Sequence, residues 1–130
     1  MFITKRNSLS AIGVSLLLSL PGVNLHAQDL GNGWAPNALE IAALPDYCQN
    51  FFLKRVLPPN CDGVHHLCAG KVLINRSLDF KIPKGERRRI AGHAKKEVDY
   101  IFDRNNAQCL MMDEARATQS QIRTLETLLR

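Results

Sequence analysis

The sequence predicts an all-α fold of antiparallel helical hairpins, stabilised by disulfides after a signal peptide is removed. Three observations support this prediction. Apolar residues recur at intervals of three and four along most of the chain, which is typical of amphipathic helices. No segment alternates apolar and polar residues as a half-buried strand does. The four cysteines all follow an apolar leader, and an even number in an exported chain favours disulfides.

Residues 1–27 are predicted to be a cleaved secretory signal peptide. Lys5 and Arg6 provide a positive start, an apolar run occupies residues 12–18, and Ala27 offers a small residue at the cleavage point. The run is too short for a membrane-spanning helix, although an uncleaved N-terminal anchor is the alternative. We therefore expect a periplasmic or secreted bacterial protein, in which cysteines are oxidised.

Charge and composition limit the classes of partner. The net charge of +5 falls to +3 when Lys5 and Arg6 leave with the leader, and aromatic residues make up 6% of the chain. Neither value suggests a nucleic-acid partner. No second apolar segment is long enough to span a membrane, and no cofactor is indicated. The mature chain is long enough for one small domain.

The helical domain is predicted to cover residues 44–130, after a flexible lead-in over residues 28–43. Asn37 caps a short helical turn within the lead-in, and Pro45 follows it. The first long helix is predicted from Asp46 to about Leu57. Its apolar face consists of Tyr47, Phe51, Phe52 and Val56.

Three more helices are predicted, so that about four follow the lead-in. The second starts after Asn60 or Asp62 and ends near Leu78, the third covers about residues 86–104, and the last begins at residue 111 or 112. Short loops make such neighbours antiparallel. The inward faces are Val64, Leu67, Cys68, Val72 and Leu73; then Ile90, Ala94, Val98, Ile101 and Phe102; then Met111, Ala115, Ile122, Leu125 and Leu129.

The cysteines Cys48, Cys61, Cys68 and Cys109 are disulfide candidates. Three pairings are possible, and the sequence alone does not choose among them. A pairing such as Cys48–Cys68 closes a loop of about 20 residues and would stabilise the fold by roughly 3 kcal/mol.

Cys61, His65, His66 and Cys68 also form the best candidate metal site. Thiolate and imidazole are ligands of zinc and copper, and Cys61, His65 and Cys68 would share one face of a helix. The alternative is that both cysteines form disulfides. No nucleophile has a recognisable base and orienting group, so we expect no catalytic residue and no enzyme activity.

A basic run marks the start of the third helix. Positive charge at a helix N-terminus opposes the helix dipole. A weak contact with an anionic surface would explain the run, and a solvated helix face is the alternative. Its members are Lys84, Arg87, Arg88, Arg89, Lys95 and Lys96.

Several motifs together resemble the N-terminal part of exported bacterial tetratricopeptide-repeat (TPR) proteins. The motifs lie within residues 44–120, and they are Leu44-Pro45-Asp46-Tyr47-Cys48, His65-His66-Leu67-Cys68-Ala69-Gly70, Leu73-Ile74-Asn75-Arg76 and Ala94-Lys95-Lys96-Glu97-Val98-Asp99-Tyr100-Ile101. Gly70, Ala91 and Ala94 would then be the small residues where helices cross.

This resemblance implies a role in protein–protein interaction and transfers no catalytic residue. Repeat arrays of this kind need about three repeats or a cap for stability. The last helix is therefore expected either to cap the fold or to present its apolar seam to a partner protein or a second copy. The expected surface consists of Ile122, Leu125 and Leu129, with Arg87, Arg88 and Arg89 beside it.

Overall fold

Five α-helices make up the part of the chain that the structure, a computed structural model, describes: residues 35–104 and 107–130. These two ranges contain no strand, so the all-α prediction is confirmed. The predicted leader and the start of the lead-in, residues 1–34, lie outside the described residues. The helices are α1 Ala38–Ala42, α2 Asp46–Lys54, α3 Val64–Ser77, α4 Lys84–Phe102 and α5 Met112–Leu128.

The short helix α1 begins with a reciprocal cap. Asn37 accepts hydrogen bonds from the backbone N–H groups of Leu39 and Glu40, and the Glu40 carboxylate accepts the Asn37 N–H at 2.8 Å. This capping box satisfies N–H groups that a short helix cannot pair internally. The predicted cap at Asn37 is therefore confirmed.

Helix α2 ends at Lys54, earlier than the predicted end near Leu57. Arg55 adopts the left-handed conformation with φ +59°, and the Val56 N–H bonds back to the carbonyl of Asn50 at 3.3 Å. Such a reversal terminates a helix by satisfying its last carbonyls. As a result Val56 is exposed, and its predicted place on the buried stripe is wrong.

Helix α3 starts after Gly63, and neither predicted cap, Asn60 or Asp62, is its N-cap. Gly63 has φ +83°, a conformation that glycine adopts without steric cost. A Cβ added there would also lie 3.2 Å from the Tyr100 ring on α4. The glycine is thus required by backbone conformation and by the proximity of α4.

Helices α3 and α4 form the most extensive contact between elements. Gly63 lies near Ile101, whereas Gly70 lies near Ala94 and Val98. A Cβ at Gly70 would overlap the Val98 side chain and would approach the Ala94 carbonyl oxygen to 3.3 Å. Gly70 and Ala94, two of the three small residues expected where helices cross, therefore lie where α3 and α4 meet.

Helix α5 packs mainly on α4 and contacts α3 only slightly. The largest buried cluster joins α3, α4 and α5, and a smaller one joins α1 and α2 to α3. Tyr47 packs against both clusters. The predicted inward stripes supply most of the larger cluster, including Val64, Leu67, Ile90, Ala94, Val98, Ile101, Ala115, Ile122, Leu125 and Leu129.

Two disulfides link these elements. Cys48–Cys68 joins α2 to α3, with a sequence separation of 20, and the Cα atoms lie 5.4 Å apart. Cys61–Cys109 joins the segment before α3 to the segment before α5, with a separation of 48. All four disulfide candidates are therefore paired, in one of the three arrangements that the sequence allowed. Among the described residues, no helix is long and apolar enough to cross a bilayer.

Candidate functional site

A groove runs between α3 and α5, where these helices do not pack closely. Two adjoining cavities of about 190 and 200 Å³ form it, and both are lined by Ile74 and Gln121. We call it the α3–α5 groove. Its lining consists of Ala43, Leu44, Pro45, Lys71, Ile74, Asn75, Leu78, Gln121, Thr124, Leu125 and Leu128.

One half of the α3–α5 groove is apolar. Ile74 and Leu125 are buried and line its base, while Leu78 and Leu128 are 45% and 71% exposed. Leucine side chains so exposed at the mouth of a cavity leave apolar surface in contact with water. This half can accept an apolar side chain from another molecule.

The other half of the α3–α5 groove is polar. Asn75 on α3 and Gln121 on α5 line it, and within residues 35–104 and 107–130 neither side-chain amide has a hydrogen-bond partner. Each amide carries both donors and an acceptor. The pair can therefore hydrogen-bond the backbone of an extended chain.

Two polar contacts support this half of the groove. The Lys71 ammonium and the Glu114 carboxylate form an ion pair at 2.5 Å between α3 and α5. The Gln49 side-chain amide donates to the Leu44 carbonyl at 2.7 Å and secures the turn between α1 and α2. The ion pair spans the two helices without closing the space between them.

Tyr47 lies beneath these elements with its hydroxyl buried and, in the described part of the chain, without a hydrogen-bond partner. Burial raises the pKa of the Tyr47 phenol, and the negative charge of Glu114 raises it further. The phenol therefore stays neutral at physiological pH, and it offers a buried donor near the Lys71–Glu114 pair.

The predicted metal ligands do not come together as a site. Cys61 and Cys68 belong to different disulfides, so neither offers a thiolate. Across the described ranges, no group of three or more His, Cys, Asp or Glu side chains is arranged to hold a metal ion. The metal hypothesis is therefore wrong for Cys61 and Cys68, because both sulfurs already form disulfide bonds.

The two histidines instead belong to a row of neighbouring rings that are tilted against one another. His66 Nδ1 lies 2.6 Å from the Glu97 carboxylate, and its ring lies 3.8 Å from that of Tyr100. The His65 ring lies 4.3 Å from His66 and 5.8 Å from Phe51. Burial lowers the pKa of His65, and the neighbouring His66 lowers it further. The row links α2, α3 and α4.

The predicted apolar partner surface is also corrected. Ile122, Leu125 and Leu129 are 1%, 4% and 3% exposed. They pack into the large core cluster, because α5 turns this face towards α4. The exposed apolar residue on α5 is instead Leu128, which follows the groove side of the helix.

The three arginines at the start of α4 do not form one surface. Arg88 Nε donates to the Leu129 carbonyl at 2.8 Å, while Arg89 pairs with Glu86 at 2.5 Å. Arg87 lies over the Phe80 ring, with 4.9 Å between its guanidinium carbon and the ring centroid. Successive helical residues point in different directions, so each arginine has a different contact.

Two cations at the start of α4 contact the end of α5. Lys84 donates to the Arg130 carbonyl, and Arg88 donates to Leu129. These carbonyls belong to the end of α5, where the helix dipole is negative and the last carbonyls need donors. Positive charge is unfavourable at the N-terminus of α4, but the same charge is favourable beside the C-terminus of α5, and the second interaction offsets the first.

No protein-family model, curated protein or solved structure matches this chain. Function is therefore inferred from the geometry of the described residues.

Sequence reasoning missed the α3–α5 groove. Leu78 and Leu128 lie at the ends of α3 and α5, where a single apolar residue is weak evidence for a binding surface. A signal was nevertheless present, since Leu128 stands beside Leu129 and both cannot face the same core. The Leu128–Leu129 pair therefore indicates that one of the two side chains stays outside the core.

Proposed function

We propose that this protein is an exported, non-enzymatic helical module of TPR-like type that binds an extended segment of a partner protein. The observation that carries this proposal is the α3–α5 groove. One half is apolar and open between Leu78 and Leu128, and the other presents the amides of Asn75 and Gln121.

The packing of the helices supports the TPR-like interpretation. The contacts of Gly63 with Ile101 and of Gly70 with Ala94 fit an antiparallel hairpin of α3 and α4. In this interpretation α5 is the first helix of the next hairpin. Stacked helical hairpins present an extended concave surface for binding, and a groove between first helices fits such a surface.

The groove favours a partner segment with a particular pattern. An apolar side chain would enter between Leu78 and Leu128, and burying Leu128 would contribute up to about 2 kcal/mol. The backbone of the same segment would hydrogen-bond to Asn75 and Gln121. Apolar cavities combined with a few polar groups commonly give both affinity and orientation.

The two disulfides support an oxidising compartment for this function. Together with the predicted leader, they favour the bacterial periplasm or secretion. Disulfides also suit a domain of this size, whose core alone is small.

Peptide display tests the proposal. We expect a random dodecapeptide library, selected against the oxidised protein, to yield peptides with a shared apolar residue. Replacing Leu78 and Leu128 by serine should weaken their binding by about tenfold or more, as measured by fluorescence anisotropy. The control is Leu110→Ser, because Leu110 is 86% exposed and does not line the groove.

Two results would contradict the proposal. One is a selection that enriches no peptide, and the other is a set of peptides whose affinity survives the double substitution. Sedimentation velocity over a concentration series tests whether the partner is a second copy. In that case the protein should form dimers that the Leu78→Ser, Leu128→Ser variant does not form.

A further inference from the structure

The loop between α3 and α4 presents an isolated aromatic side chain to solvent. Phe80 is 86% exposed. It lies three residues after the end of α3, and Lys81 next to it is exposed as well. Moving this ring from water into an apolar phase would be favourable, because it would remove apolar surface from water. This feature is separate from the α3–α5 groove, which Phe80 does not line.

Positive charge surrounds Phe80. Lys81, Lys84, Arg87 and Arg88 follow it within the loop and the first turns of α4. The acidic residues in the same stretch are Asp79 and Glu86, and Glu86 is already paired with Arg89. We call the basic stretch with its phenylalanine, residues 80–88, the Phe80 end of the bundle.

The side chains at the Phe80 end are held together by specific contacts. The Arg87 guanidinium lies over the Phe80 ring, with 4.9 Å between its central carbon and the ring centroid. Lys84 and Arg88 donate to the backbone oxygens of Arg130 and Leu129, which follow α5 directly. These contacts hold the two cations beside the end of α5.

We propose that the Phe80 end docks on an anionic lipid surface, with Phe80 at headgroup depth and the surrounding cations on lipid phosphates. Aromatic side chains concentrate at the membrane–water interface, and basic residues near an anionic leaflet each add to binding. Guanidinium and ammonium groups form charge-assisted hydrogen bonds with phosphate oxygens.

A lipid surface fits these observations better than an acidic protein. A protein partner with acidic side chains would satisfy the cations but would still have to supply a cavity for Phe80. A bilayer interface accepts a projecting aromatic ring without a preformed cavity, and it provides phosphate groups on all sides of the ring.

Vesicle flotation tests this proposal on the oxidised protein purified after export, with its N terminus defined by intact mass. We expect binding to vesicles of phosphatidylglycerol and none to vesicles of phosphatidylcholine. Phe80→Ala should lower the partition coefficient about tenfold, because the buried apolar surface is lost. Lys81→Gln and Arg87→Gln should each lower it about fivefold, and added salt should weaken binding of the parent.

The chain offers matched controls for both kinds of substitution. Leu110→Ala removes an equally exposed apolar side chain from the loop between α4 and α5, and Lys96→Gln removes an exposed cation further along α4. Both variants should bind phosphatidylglycerol vesicles within about twofold of the parent. Circular dichroism should show that all five variants keep the helical fold.

Four outcomes would overturn the proposal. The first is equal binding to phosphatidylcholine, and the second is a Leu110→Ala loss as large as that of Phe80→Ala. The third is binding to polyglutamate without binding to vesicles, which would identify an acidic polypeptide as the ligand. Full competition by soluble glycerol phosphate would likewise replace the lipid surface by a site for a free phosphate ester.

Discussion

Helix α3 has two contrasting sides. Towards α4 it is closed, because Gly70 lets the helices approach until a Cβ would overlap Val98. Towards α5 it is open, and Asn75 and Leu78 face a groove instead of a packed neighbour. The same helix therefore takes part in the most extensive helix–helix contact and borders a groove.

The difference between the two sides of α3 follows from the size of the residues that face each neighbour. Small residues bring two helices together and leave no room for a ligand. On the open side, the Lys71–Glu114 pair connects α3 to α5 through two long side chains. In the proposed function, the close packing on the α4 side holds α3 in place while the α5 side binds the partner.

Removing a disulfide should have the largest effect on this contrast. Replacing Cys61 and Cys109 by alanine should lower the free energy of unfolding by about 4 kcal/mol, and replacing Cys48 and Cys68 should lower it by about 3 kcal/mol. The longer loop gives the larger entropic term, since the separations are 48 and 20 residues. Urea unfolding followed by circular dichroism measures both. A reversed order would show that packing at the buried Cys48–Cys68 pair outweighs loop closure.

The next largest effect is expected on the closed side. Gly70→Ala should cost about 1–3 kcal/mol of unfolding free energy, because the new Cβ overlaps Val98. Gly92→Ala on α4 is the control, since a Cβ there meets no atom within 4 Å. It should stabilise the protein by up to about 1 kcal/mol through helix propensity. If both changes have the same sign, the close crossing at Gly70 is not what limits this position.

Glu40→Gln should have a smaller effect, at the edge of the open side. Arg76 binds the Glu40 carboxylate through two nitrogens, at 2.5 and 2.8 Å, and ties α1 to α3. Losing this charge-assisted pair should cost about 1–2 kcal/mol at neutral pH. Thermal unfolding of the parent and variant measures it. Asp113→Asn is the control, because its pair with Arg116 is exposed and should contribute less than about 0.5 kcal/mol.

The Glu40–Arg76 pair also predicts a pH dependence. The hydrogen bonds from Arg76 lower the pKa of Glu40 in the folded protein, whereas the unfolded carboxyl keeps a pKa near 4.5. The pair therefore stabilises the fold above pH 4.5, and this contribution is lost as the pH falls through the lowered folded value. Glu40→Gln should make the unfolding free energy less dependent on pH in this acidic range. An unchanged slope would contradict the assignment.

Arg88→Gln should destabilise the protein by only about 0.3–1 kcal/mol, by removing a cation from the end of α5. Added salt should reduce the difference from the parent, because the interaction is electrostatic. Chemical unfolding at low and high salt measures this. Lys96→Gln on the outer surface of α4 should show neither effect, and a salt-independent loss at Arg88 would indicate packing instead.

The smallest change is expected at the mouth of the groove. Leu128→Ala should alter the unfolding free energy by less than about 0.5 kcal/mol, because its side chain is mostly in water. Its neighbour along α5, Leu125, is buried, and Leu125→Ala should cost about 2–5 kcal/mol. A large loss at Leu128 would mean that the open side is part of the core after all.

The helices and their buried faces were predictable because burial follows the helical period. Ile90, Ala94, Val98 and Ile101 recur on one face of α4, and all four are buried. The end of α2 was not predictable in this way. It depends on the left-handed conformation of Arg55, which no residue type at that position signals.

The candidate site was less predictable than the fold. The apolar face of α5 was recognised from the sequence, but the pattern of apolar residues does not show whether another helix covers that face. Contacts far apart in sequence decided this, such as Arg88 with Leu129 and His66 with Glu97. The use of Cys61 and Cys68 likewise depended on partners that the sequence could not assign.

The Cys61–Cys109 disulfide should keep the molecule together after a protease cuts the chain between these two cysteines. The chain between these two cysteines contains all of α3 and α4, including the exposed lysines 81 and 84. A cut in that loop opens the backbone without separating the fragments, because the sulfur bridge still connects them. The nicked molecule would migrate as one species until a reductant divides it.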